Sequence, residues 1–259
     1  MRIAIVFDSA GTLVKIIRVI KDIEKNKFIC NKQTVDLVDK KKGRVLVIIK
    51  DCPIEVVDKE DDNELISNFL KKVNIGISYC NPPIIKENIF KDNKTKMKEL
   101  KEPLNVLKRY ELETGYGSAL IADTYDKKIS YTIATGGCLF DGVEETIDKL
   151  KNLVDKIYIA SGDRKGMVEN LAKRLKIDNY IYEANQFDKR DLIKKLKEEG
   201  YFTVMVGDGA NDVLAMKESD LSIATLQNGS VSPKVLEIAD KKIYHIKEII
   251  DIIKEIKNK

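Results

Sequence analysis

The stretch IAIVFDSAGT, residues 3–12, decides the fold. Five apolar residues, Ile3 to Phe7, run straight into Asp8, and Gly11-Thr12 follows three residues later. A run so short and so uniformly apolar predicts a strand over residues 2–7 that is buried on both faces, as in a parallel sheet covered by helices. Such a strand mounts Asp8 at its carboxyl end, the edge where open α/β sheets bind ligands. Two residues beyond Asp8, where a second carboxylate would be the natural proton donor to a reacting aspartate, stands Ala10.

Working outward, the C-terminal half alternates strand and helix signals. Val143, Ile147, Leu150 and Val154 fall at helical spacing after Gly142, with Glu144 and Glu145 in the first turn. Short apolar runs at 156–160, 180–182, 202–206 and 221–224 predict strands, and helices are predicted at 164–175, 188–199 and 211–218. Ile246, Ile249, Ile250 and Ile253 form a helical stripe in the tail. Strands separated by helices imply βαβ units and a layered α/β core. Residues 16–136 differ in character. They carry β-type runs at 44–50, 119–122 and 129–133, helical patterns near 63–73 and 94–109, and four of the five prolines. The expected organisation is a core of residues 1–15 and 137–259, with 16–136 inserted as an α+β domain.

Three predicted strands end in polar residues: the first at Asp8, the second at Ser161-Gly162-Asp163, the third at Gly207-Asp208-Gly209-Ala210-Asn211-Asp212. Lys189 opens a helix near the same edge. Asp8, Asp208 and Asp212 would gather three negative charges, which cannot all stay ionised unless something positive sits among them. A hard divalent cation with oxygen ligands, Mg²⁺ by preference, answers that need. Mg²⁺ and Lys189 would hold a phosphoryl group, Ser161 would hydrogen-bond it, and Asp8 would be free to act as a nucleophile, forming an aspartyl-phosphate. Glycines at 11, 207 and 209 let the backbone approach a ligand closely.

Asp8-x-x-Gly11-Thr12, Ser161-Gly162-Asp163, Asp188-Lys189 and Gly207-Asp208-Gly209-x-Asn211-Asp212 resemble, in order and spacing, the four motifs of the haloacid dehalogenase superfamily. The last three most resemble those of the phosphorylation domain of P-type ATPases. The resemblance covers about half the chain and implies a Rossmann-like parallel core with residues 16–136 as a cap domain. It implies Asp8 as nucleophile and metal ligand, with Asp208 and the Ala10 carbonyl as further ligands. It places the phosphoryl group against Gly11, Thr12, Ser161, Gly162, Lys189 and Asn211, and has Asp212 support the metal. The expected substrate is a small phosphorylated metabolite, an acyl phosphate or a nucleotide. Superfamily phosphatases usually carry aspartate at position 10, whereas phosphonoacetaldehyde hydrolases carry alanine. That leaves phosphonate carbon–phosphorus cleavage as one alternative and a non-catalytic module binding Mg²⁺ and phosphate as another. Asp163 has two readings, a cap for the following helix or a ligand contact.

Composition excludes other classes. The chain has 259 residues, 43% hydrophobic and 34% charged, with a net charge of +4 spread among interleaved lysines and acids. Lys40-Lys41-Lys42 reads as a solvated turn rather than a nucleic-acid patch. Cys30, Cys52, Cys80 and Cys138 lie far apart and the single histidine is His245, which argues against a zinc site and a disulfide framework. Scattered cysteines and the lack of a signal-peptide layout suit a cytoplasmic protein. No apolar run reaches a bilayer span. The tail stripe is expected to pack in the core.

Overall fold

The computed structural model describes residues 1–30, 32, 34–79, 81–229 and 231–258. Cys80 lies outside them. The strands are β1 Ile3–Phe7, β2 Val14–Asp22, β3 Lys27–Cys30, β4 Arg44–Ile49, β5 Ile75–Ser78, β6 Tyr116–Asp123, β7 Lys128–Leu139, β8 Lys156–Ala160, β9 Asn179–Ile181, β10 Phe202–Gly207, β11 Leu221–Thr225 and β12 Lys241–Ile243. The α-helices are α1 Thr34–Asp39, α2 Pro53–Val56, α3 Ile66–Phe69, α4 Met97–Leu107, α5 Val143–Leu150, α6 Lys165–Leu175, α7 Gln186–Glu198, α8 Val213–Glu218, α9 Pro233–Ile238 and α10 Ile249–Lys257. By contacts the chain divides into two compact units, Met1–Lys15 with Gly137–Lys259, and Ile16–Gly136.

The first unit is a parallel sheet in the order β12-β11-β10-β1-β8-β9. β1 lies at its centre, with Phe7 level with Val206 of β10 and Ile159 of β8. All five β1 residues are fully buried, because helices cover both faces. On one face Ala4, Val6, Ala160, Met205 and Ala224 pack against Ile193 and Leu196 of α7 and Ala215 and Met216 of α8. The tail stripe joins the core through Ile246, Ile249 and Ile253, all fully buried. After β1 the chain builds outward through β8 and β9, then crosses to β10 on the other side of β1. The strand order therefore reverses between β1 and β10, which opens a crevice beyond their carboxyl ends.

The second unit carries an antiparallel sheet in the order β3-β2-β7-β6-β4-β5. β6 shows why it is layered on both sides. Leu120 and Ala122 face Phe69, Leu100, Leu104 and Leu107, whereas Ala119 and Ile121 face Leu37 and Val38. The alternation is period two, as a sheet with two covered faces requires.

Most predicted elements lie within a residue or two of their expected bounds. The helical pattern at 63–73 is the main departure, since only Ile66–Phe69 is helical. Leu65 bridges to Lys96, and the chain must be extended again by Ile75 to pair with Ile49, so tertiary pairing overrides the pattern at both ends. The 211–218 helix starts as a 3₁₀ turn at Ala210–Asp212 and becomes α-helical from Val213. Lys40 and Lys42 lie in turns, and Lys41 pairs with Asp123 and Asp126. His245 is solvent-exposed.

Candidate active site

The β1–β10–β8 register brings three predicted site residues to one edge. Asp8 follows β1, Asp208 follows β10 and Ser161 follows β8, on adjacent strands. The Asp8 main-chain N–H donates to the Val206 carbonyl at 2.9 Å, so the loop leaves β1 still tied to β10. Beyond Asp8 the backbone folds back tightly. The N–H groups of Thr12, Leu13 and Val14 all donate to the Ser9 carbonyl at 2.9–3.2 Å, and Gly11 donates to Val14. Gly11 has φ +84°, and a Cβ there would collide with the Asp208 carboxylate. Glycine is required twice over at this position, for the backbone angle and for the close approach.

Lys189 is the organising cation. Its ammonium lies 2.5 Å from Asp8 Oδ1 and 2.7 Å from Asp212 Oδ1, and the whole residue is buried. It stands in the first turn of α7, whose start is set by a capping box. Asn185 Oδ1 accepts from the N–H groups of Phe187 and Asp188, and Asp188 Oδ2 accepts from Asn185 N–H. Asp188 thus anchors the helix that aims Lys189. Asp212 is held by Gly209, whose N–H donates to Asp212 Oδ2 at 3.0 Å.

Asp8, Asp208 and Asp212 each offer an oxygen within 4.8 Å of the others. Burial raises the Asp8 carboxyl to about 7, helped by the charge on Asp212 and opposed by Lys189. Burial raises Asp208 to about 8, helped by Asp8 and Asp212. Burial works against the charge on Lys189, but Asp8 and Asp212 outweigh it and hold its pKa above the ordinary lysine range. One ammonium among three carboxylates leaves the cluster short of positive charge. An all-oxygen donor set with that deficit fits a hard divalent cation such as Mg²⁺.

Other sequence-predicted residues take various places. Ser161 is buried, with its N–H bonded to the Ile181 carbonyl and its hydroxyl paired with Asp163. Gly162 is exposed on the loop after β8, and Asn211 is exposed in the 3₁₀ turn Ala210–Asp212. Ala10 is half-buried, its backbone bridged to Val14. Thr12 is fully buried, and its hydroxyl has no hydrogen-bond partner among the described residues. Asp163 does not cap α6, whose N-cap is Arg164 without a side-chain cap. Sequence reasoning missed Gln227, whose side-chain amide donates to the Thr12 carbonyl and accepts from Ile246 N–H. No local pattern marks that residue. Asn185 could have been found, because Asn-x-x-Asp before an apolar-periodic run is a helix-start signature.

Residues 4–220 match the haloacid dehalogenase-like hydrolase family model, and the chain belongs to that family. It is 68% identical to a soluble P-type ATPase-like phosphatase of Methanocaldococcus jannaschii, over the whole of this chain and 95% of that one. A copper-transporting ATPase of Helicobacter pylori is 39% identical over 97 residues, which are 38% of this chain and only 13% of the transporter. Among solved structures, the catalytic CPx-ATPase domain CopB-B shares the fold at a TM-score of 0.50 and 21% identity, covering all of this chain and 90% of that one. No helix among the described residues is long and apolar enough to cross a membrane.

Proposed function

We propose that the chain is a Mg²⁺-dependent phosphatase or phosphotransferase that works through a phosphoryl group carried on Asp8. The observation that carries this reading is Lys189 set between Asp8 and Asp212, with Asp208 in the same oxygen cluster at the switch point. The 68% identity to a soluble phosphatase along the whole chain supports it. Residues 16–136 are read as an inserted cap domain between the nucleophile strand and the rest of the core. The proposed setting is cytoplasmic, with no membrane or nucleic-acid partner.

In this mechanism an Asp8 carboxylate oxygen attacks phosphorus. The bond from phosphorus to the leaving oxygen breaks, and that oxygen departs with the electron pair. Water then attacks phosphorus, displaces the Asp8 carboxylate and releases inorganic phosphate and a proton. Lys189 is a fixed cation throughout, holding Asp8 in place and offsetting phosphoryl charge. Ser161 donates to a phosphoryl oxygen, and the main chain at Gly11, Thr12, Gly162 and Asn211 lines the phosphoryl site. Asp8, Asp208 and the Ala10 carbonyl would hold Mg²⁺, with Asp212 in support. When bound, Mg²⁺ supplies positive charge to phosphoryl oxygens as charge shifts between them.

Position 10 then selects the leaving group. Alanine cannot protonate a departing alkoxide, so acyl phosphates and anhydrides are the favoured substrates. Alkyl phosphate esters turn over slowly, forgoing a factor of about 10²–10⁴ that general acid–base help supplies. A Mg²⁺-dependent screen of phosphorylated metabolites, ATP and acyl phosphates identifies the substrate. Asp8→Asn tests the nucleophile: turnover should fall by on the order of 10³-fold or more, as when other covalent nucleophiles are removed. Full activity in that variant would rule out the assignment.

A further inference from the structure

Ser161 and Asp163 are locked to each other at the carboxyl end of β8. The Asp163 main-chain N–H donates to Ser161 Oγ at 3.1 Å, and Ser161 Oγ donates to Asp163 Oδ2 at 3.0 Å. A carboxylate only accepts, so the single hydroxyl proton of Ser161 is committed to Asp163. The backbone around the pair is fixed. Ser161 N–H bonds the Ile181 carbonyl, the Ser161 carbonyl accepts from Ala184 N–H, and the Asp163 carbonyl accepts from Glu183 N–H. Ser161 is 2% exposed, so its oxygen has little room to move. What remains free is the direction of the O–H bond and the partly exposed Asp163 side chain. Asp163 serves no helix cap.

Resting on the reading of Asp8 as the phosphoryl acceptor, we propose that Asp163 is a positioning residue that holds the Ser161 hydroxyl proton away from the phosphoryl site and yields it only to an incoming phosphoryl oxygen. Both acceptors are anionic and compete for one proton. Donation to phosphate therefore costs the Ser161–Asp163 hydrogen bond. The pair weakens binding of phosphate, the product, and favours its release.

The test is calorimetric titration of inorganic phosphate into the Mg²⁺-loaded protein, beside kcat and KM on acetyl phosphate. Asp163→Ala removes the acceptor and releases the hydroxyl proton, so it should tighten phosphate binding by roughly tenfold, the scale of one charge-assisted hydrogen bond, whereas Asp163→Asn keeps an amide oxygen that still accepts and should tighten it less. KM should fall with it, and kcat should not rise. In a Ser161→Ala background the same changes at position 163 should shift phosphate affinity less than about twofold. A merely structural Asp163 would lower stability and loosen phosphate instead. Unchanged or weaker phosphate binding in Asp163→Ala overturns the proposal, as does equal tightening without Ser161, which would show plain charge removal. Asp8→Asn run alongside separates the two levels. If it abolishes turnover while the position-163 variants fail to tighten phosphate, the proton competition alone is wrong. If it retains turnover, the nucleophile reading falls and this proposal with it.

Discussion

The Lys189 ammonium stands 2.5 Å from the Asp8 carboxylate, and the two side chains are 0% and 7% exposed. Buried ion pairs are costly to break, because the surviving partner is left charged without compensation. Lys189→Met strands Asp8 and Asp212 in this way and should destabilise the metal-free protein by about 3–5 kcal/mol. The loss should be smaller at pH 6 than above pH 8, since Asp8 can neutralise itself by taking a proton. Urea denaturation at the two pH values measures both. An unchanged midpoint would mean that the cluster is not held by the lysine.

Proton linkage gives a second prediction. Asp8 is raised to about 7 and Asp208 to about 8, while unfolded carboxyls titrate near 4. Between about pH 4 and 8 the folded protein therefore holds protons that the unfolded chain has released, so metal-free stability falls as pH rises through that window and levels off above it. Lys189, with its pKa raised, keeps its contribution throughout this range and loses it only above the ordinary lysine pKa. Mg²⁺ must displace the retained protons. Its affinity should rise between pH 6 and 8 by up to about tenfold per unit for each proton displaced. Calorimetry in buffers of different ionisation enthalpy counts those protons, and a flat profile would contradict the cluster as the Mg²⁺ site.

Ala10→Asp restores a carboxylate two residues beyond Asp8. Decay of an acid-quenched, hydroxylamine-labile phosphoenzyme should speed up by about 10²–10⁴-fold, and alkyl phosphate esters should gain more than acyl phosphates. Equal steady-state phosphoenzyme in the two proteins would show that position 10 does not limit turnover.

Gly11→Ala puts a methyl group where the Asp208 carboxylate lies, at a φ of +84°. Backbone strain alone costs about 1–2 kcal/mol. The displaced carboxylate should lower Mg²⁺ affinity by roughly 10–100-fold, the range seen when a metal ligand loses its support. Gly166→Ala is the control, since a Cβ there meets nothing within 4 Å. Similar losses in both variants would remove the argument from close approach.

How far the sequence could be read depended on what held each element in place. β1, β8, β10 and β11 are short, apolar and central or nearly so, and their burial is written in consecutive residues. β12 was invisible because Lys241-Lys242-Ile243 has no pattern of its own and exists as a strand only through its pairing with β11. β2 was obscured by Lys21, a buried lysine inside the strand that pairs with Glu99 and Glu102 of α4. A polar residue at a buried position breaks the period that would reveal the strand, and only its distant partners make it tolerable.

The site divides in the same way. By itself the sequence determined the chemical inventory: Asp8, Asp208 and Asp212 as carboxylates, Lys189 as their cation, Ser161 as a donor, and alanine at position 10. Type and spacing suffice for that, because each motif sits at the end of a legible strand or the start of a legible helix. Tertiary structure alone decided which of these groups touch. It placed Lys189 on Asp8 and Asp212, pressed Gly11 against Asp208, tied Thr12 to Gln227, and gave the Ser161 proton to Asp163. The first three join residues between 23 and 215 positions apart. Contacts at that range depend on strand order and register, which no local pattern records. The fourth is local, but which atom receives the proton depends on where the surrounding loops pin the two backbones.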